Sequence, residues 1–97
     1  MSEVVVVAIG RSKEGKAEEA QALMSEVAAA SNEEEGCISY TVHVDKNDAS
    51  RIVVLERWES QEALDHHFTL PHVAKVTESM DMLEELPQVY FCEAVTK

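Results

Sequence analysis

Basic residues are scarce in this chain: eight Lys and Arg stand against nineteen Asp and Glu, a formal net charge of −11 over 97 residues. Such a balance repels phosphate backbones and anionic lipid surfaces, which argues against nucleic acid and membrane as partners. Its direct reading is a solvated acidic exterior. No apolar run approaches the roughly 20 residues of a spanning helix. A basic stretch followed by an apolar core and a small-residue cleavage site is also lacking, so a cytoplasmic protein is expected. Cys37 and Cys92 are too few for a disulfide framework and too far apart for a zinc ribbon. Both fall in strand-like runs, where a free thiol acts as a small hydrophobe. The four His form no HxH, HxxxH or HExxH spacing, and His67 and His72 are separated across a Pro, so no metal site is expected. With three Gly and two Pro, the chain has no linker, repeat or low-complexity segment.

What remains is 45% hydrophobic and 28% charged, the balance of an ordinary soluble domain, and residues 1–97 are expected to form one. Val4 to Ile9 is a continuous β-branched run, bounded by Gly10, that suits a central strand. From Lys16 to about Asn32, Ala20, Leu23, Met24, Val27 and Ala28 recur at helical spacing, and Gly36 ends this region through a left-handed residue. Cys37 to Asp45 alternates with a period of two. Beyond the turn-rich KNDAS, Arg51 to Trp58 returns as its antiparallel partner. A short helix is expected over Glu62 to Phe68, a longer one from Pro71 to about Leu86, and a last strand over Val89 to Val95. The order β, α, β, β, α in two pieces, β predicts an α+β, ferredoxin-like βαββαβ antiparallel sheet with helices on one face. Yet Val5, Val7 and Ile9 alternate with Val4, Val6 and Ala8, so both sheet faces are apolar. A homodimer packed sheet to sheet, a dimeric α/β barrel, would cover the second face.

Chemistry concentrates between Glu56 and Val73, ERWESQEALDHHFTLPHV, which holds the single Trp and three of the four His. Trp58 closes a strand and Ser60 offers a side-chain acceptor to the next helix. Leu64, His67 and Phe68 share one helical stripe, while Pro71 pre-sets a second helix and leaves His72 beside it. Trp58, His67, Phe68 and His72 are therefore expected to line one concavity.

The stretches EEGCISY (Glu34 to Tyr40), Val44-Asp45, ERWES (Glu56 to Ser60) and ALDHHFTLPHV (Ala63 to Val73) resemble the antibiotic biosynthesis monooxygenase family. The likeness covers nearly the whole chain and is greatest to the branch containing quinol monooxygenases, whose HxxTPH-like segment reads HFTLPH here. It implies a dimeric α+β barrel that oxidises a small phenolic or quinone-like compound with O₂ and without flavin, haem or metal cofactor. A deprotonated, electron-rich substrate passes an electron to O₂ itself, so the protein must supply an apolar cavity, a proton acceptor and donors for the oxyanion.

On that reading His67 and His72 are the catalytic candidates, because imidazoles titrate near neutrality. Trp58, Tyr40, Phe68 and Phe91 wall the pocket, and Glu56 orients a His or pairs with a basic residue. A structural role stands beside each: Trp58 as a packing anchor, His67 as a hydrogen-bonded core imidazole, His72 as a loop contact. His43 and His66 are expected to face outward. Haem-degrading relatives carry Asn, Trp and His where this chain has Ala8, His67 and Thr77. Isomerases of a phosphorylated autoinducer sugar share a TPHY-like segment but need cations near it; Arg11, Lys13, Arg51 and Arg57 are available, of which Arg57 alone adjoins the motif strand. A non-catalytic small-molecule binding or stress module is the other alternative.

Overall fold

The computed structural model describes residues 3–96. Strand β1 (Val4–Arg11) is central, pairing antiparallel with β3 (Asp48–Trp58) on one side and β4 (Gln88–Cys92) on the other. β2 (Cys37–Asp45) flanks β3, giving the order β2-β3-β1-β4 of a ferredoxin-like α+β sheet. The hairpin between β2 and β3 is tighter than KNDAS suggests. Asp45 accepts the Asn47 N–H at 2.8 Å, so Lys46 and Asn47 alone form the turn and β3 already begins at Asp48.

Helix α1 (Ala17–Asn32) lays Ala20 and Val27 on the sheet, with Glu18 and Glu19 favourably placed against its N-terminal dipole. Its last residue ties it to β2. The Asn32 amide donates to the Ala28 and Tyr40 carbonyls at 2.8 and 2.9 Å and accepts the Tyr40 N–H at 3.0 Å. The chain then reverses through Gly36 at φ 90°, a conformation that costs a residue with a Cβ.

Helix α2 (Gln61–His67) starts where expected, with Ser60 Oγ accepting the Ala63 N–H at 3.1 Å. Helix α3 (Pro71–Glu78) has Pro71 in its first turn, but it stops eight residues before Leu86. Ser79 Oγ donates to the Val76 carbonyl at 2.8 Å, and a 3₁₀ turn (Met80–Met82) follows. The next residues are bound to the end of β1 instead: Lys13 N–H to Met82 O at 2.7 Å and Glu84 N–H to Arg11 O at 2.8 Å. Met80 and Leu83 still face the same interior as Val73 and Val76, which is why their spacing imitates a longer helix. β4 is likewise shorter than Val89–Val95, since pairing with β1 ends at Val5↔Cys92 and Val95 is 97% exposed.

All helices lie on one side of the sheet. Val6, Tyr40, Ile52, Val54 and Trp58 form the core beneath them together with Ala20, Val27 and Leu64. Among the described residues no helix is long and apolar enough to cross a membrane.

Candidate active site

Between sheet and helices lies a cavity of about 270 Å³. Val6 and Ala8 of β1 and Ile52 and Val54 of β3 form its floor, Met24 of α1 and Val73 and Val76 of α3 its walls, and Met80 and Leu83 close the far end. The lining is apolar except where Tyr40, Glu56 and His67 meet and where Thr77 and Ser79 border it at the α3 end. Register explains the meeting: Tyr40 pairs with Glu56, which pairs in turn with Val6.

His67 is the last residue of α2 and is buried among rings, with centroids 4.5 Å from Trp58, 5.5 Å from Phe68, 5.7 Å from His72 and 5.8 Å from Tyr40. Its Nδ1 lies 2.7 Å from Oε2 of Glu34, and Nε2 of His72 lies 2.7 Å from the same oxygen. A carboxylate only accepts, so His67 donates from Nδ1 and His72 from Nε2. Nε2 of His67 then carries a lone pair and has no hydrogen-bond partner among the described residues, on a side chain that lines the cavity. Burial lowers the His67 pKa against the opposing pull of Glu34, which leaves the ring neutral at pH 7.

Glu34 is the residue that the sequence did not single out. It stands in a run of three Glu before Gly36, where nothing in composition or periodicity distinguishes it. The only signal was its place at the start of the EEGCISY stretch. Its side chain is 6% exposed, and its second oxygen, Oε1, is buried with no hydrogen-bond partner among the described residues. Ligand atoms of Glu34, His67 and His72 all lie within 4.8 Å of one another, so these three side chains can hold a cation, although sequence spacing argued against a ligand set.

Among the described residues Glu56 meets neither a histidine nor a basic residue. It accepts the Trp58 indole N–H at 3.0 Å. Burial pushes its pKa from 4.5 to about 7, with the indole bond opposing the rise and the Glu34 charge adding to it. It can therefore hold or release a proton near neutrality. Burial likewise raises the Tyr40 phenol, which keeps it a hydroxyl donor. Cys37 is pushed to about 11 by burial and then by Glu34 and Glu56, so its thiol is inert.

The expected concavity is thus only partly the observed one. Tyr40, Glu56, His67 and Phe68 line the cavity, whereas Trp58, His72 and Phe91 do not. Trp58 is fully buried behind His67, and His72 reaches Glu34 from outside. Phe91 is exposed on β4, its ring 6.5 Å from that of Phe68. His43 and His66 face outward as expected.

The sequence profile of the family described as antibiotic biosynthesis monooxygenase matches residues 3–79. Among curated proteins none matches. Solved structures that the chain is similar to include Rv0793 from Mycobacterium tuberculosis, at 24% identity and a TM-score of 0.92, with 99% of this chain and 98% of that one covered. A Bacteroides thetaiotaomicron protein of unknown function, described as a possible oxidoreductase, is 26% identical with a TM-score of 0.89, over 96% of this chain and 98% of its own. A structure described as an antibiotic biosynthesis monooxygenase is 24% identical with a TM-score of 0.89, over 96% of this chain and 99% of its own.

Proposed function

The chain belongs to the antibiotic biosynthesis monooxygenase family, and on that premise we propose that it is a cofactor-independent monooxygenase acting on a small phenolic or quinol-type substrate with O₂. The observation that carries this reading is the free Nε2 of a neutral His67, anchored through Nδ1 by Glu34, at the polar end of an otherwise apolar cavity. Nε2 takes the phenolic proton, and the apolar walls keep the resulting phenolate poorly solvated and so a better electron donor. One electron passes from phenolate to O₂, and the radical pair combines to a ring peroxide. Loss of water leaves one oxygen atom on the ring. For a hydroquinone, substrate plus O₂ gives a hydroxylated quinone plus water, which balances without an external reductant. Tyr40 O–H donates to the substrate oxygen, and Glu56, poised near pH 7, supplies the proton that leaves with water. Phe68 contributes a ring wall.

An isomerase of a phosphorylated compound fits less well. Among the described residues no Lys or Arg lines the cavity, and Arg11, Arg51 and Arg57 are engaged with Asp48, Asp45 and Glu3. The functional unit in this reading is a homodimer. On the face away from the helices Val5, Val7, Ile9 and Val53 adjoin Leu55 and Tyr90, which are 41% and 50% exposed, a patch that a second copy of the sheet would cover.

The test is O₂ uptake by chelator-treated protein with menadiol and a panel of polyphenols, against His67→Ala. Uptake above autoxidation that falls in the variant supports the reading. No uptake by folded wild type, or undiminished uptake by His67→Ala, overturns it.

A further inference from the structure

We propose that Glu34, His67 and His72 form a binding site for one divalent transition-metal cation of the zinc class, beside the cavity and not within it. The donor set is two imidazoles and one carboxylate, a combination that holds zinc with a fourth position left for water. The three come from the turn after α1, the end of α2 and the first turn of α3, so the fold and not a sequence motif brings them together.

Two independent observations point to a cation. The first is convergence: both ring nitrogens already lie 2.7 Å from one carboxylate oxygen. A tetrahedral zinc ion separates neighbouring ligand atoms by about 3.3 Å. Admitting it requires each nitrogen to withdraw by roughly half an ångström, a rotamer-scale movement. The second is Oε1 of Glu34, buried without a partner among the described residues on a side chain that is 6% exposed. A buried carboxylate oxygen with no donor is costly, and a shared cation would satisfy it. Charge agrees: the chain carries a net charge of −11, which favours a cation over an anion. The His72 side chain, 18% exposed, provides the route in.

Occupancy has a chemical consequence. A metal bound at Nδ1 displaces the His67 proton to Nε2, so the nitrogen facing the cavity changes from acceptor to donor. The cation would therefore act as an inhibitor of the proton transfer proposed above. Metal binding stands on the three side chains alone, whereas inhibition rests on the reading of His67 as base.

The experiment is titration of the chelator-treated full chain with cobalt(II), read by visible absorption and by equilibrium dialysis. One ion per chain is expected in wild type, His43→Ala and His66→Ala. Glu34→Gln and His72→Ala, checked for folding by circular dichroism, should bind at least ~10-fold more weakly. His72→Ala removes a partly exposed side chain and keeps the site testable if Glu34→Gln fails to fold. Absence of stoichiometric binding, or equal binding by the folded variants, overturns the site. Zinc should also move the ring proton of His67 from Nδ1 to Nε2 in the imidazole ¹⁵N spectrum, and an unchanged spectrum overturns coordination by Nδ1. If zinc binds as described and O₂ uptake persists, the site stands and the base assignment falls.

Discussion

Glu34 and His67 are 33 positions apart in the chain, yet Oε2 of the first lies 2.7 Å from Nδ1 of the second. This contact fixes which ring nitrogen faces the cavity, so in the proposed reaction Glu34 acts as a positioning residue. Glu34→Gln keeps the shape and removes the charge. Turnover should fall by about 10–100-fold with KM little changed. The hydrogen bond and the charge of Glu34 both raise the His67 pKa, against a larger lowering by burial. Loss of the charge in Glu34→Gln should lower it further, which NMR titration of His67 in wild type and variant measures; an unchanged or raised value would contradict the assignment.

Glu56 predicts a stability that depends on pH. Its folded pKa of about 7 lies above the ordinary 4.5, so between those values the folded chain keeps a proton that the unfolded chain has released. The contribution is fully present below pH 4.5 and is lost as pH rises through about 7. Glu56→Gln does not titrate. Wild type should therefore lose on the order of 3 kcal/mol relative to the variant between pH 4 and pH 8. Urea denaturation of both proteins across that range checks the sign, and parallel curves would show that the carboxyl is not perturbed.

Trp58 and Glu56 are coupled through the indole N–H, 3.0 Å from the carboxylate. Trp58→Phe keeps an aromatic ring but deletes that donor and leaves a small void. A loss of about 2–4 kcal/mol is expected from the missing bond and the void together. Because the bond lowers the Glu56 pKa, its removal should move the pH window of the preceding experiment upward.

Some of this was legible in the sequence and some was not, for identifiable reasons. β1 read clearly because four consecutive Val leave a helix little to gain, and the order of elements followed from periods of 2 and 3.6. The short α3 was misread because Met80 and Leu83 keep helical spacing while their backbone is tied to β1. Tyr40, Phe68 and His67 reach the cavity from strands and helices whose facing side periodicity reveals. Glu34 lies in a turn, where side-chain direction follows from Gly36 at φ 90° and no repeat exists to reveal it. Trp58 drew attention as the lone Trp, but its full burial depends on the packing of α2, which the strand pattern does not contain.

Gly36 tests whether that turn positions Glu34. A Cβ there would sit 2.6 Å from the Ala63 Cβ, and the φ of 90° disfavours any side chain. Gly15, at φ 81°, has nothing within 4 Å of the same added atom. Gly15→Ala should thus cost only the conformational strain, about 1 kcal/mol, and Gly36→Ala roughly 2–4 kcal/mol. Denaturant midpoints measure the difference, and equal effects would mean that α2 moves freely away from the turn.

Leu55 tests the second face of the sheet. It is 41% exposed and pairs with Val7 and Thr41 on the side opposite the cavity, so a charge placed there meets no core residue. In a lone chain Leu55→Lys should change stability by less than about 1 kcal/mol, because its side chain stays in water. In a sheet-to-sheet dimer the same ammonium would be buried against apolar neighbours without a partner, a cost that outweighs a small interface. Sedimentation velocity should accordingly give twice the chain mass for wild type and the single-chain mass for a folded variant. A monomeric wild type at all concentrations would contradict the dimer, and a dimeric Leu55→Lys would move the interface elsewhere. Activity then separates two roles for the partner: uptake by the monomeric variant at the wild-type rate would mean that each cavity works alone. A fall in rate would mean instead that the cavity works only when the second sheet face is covered by its partner.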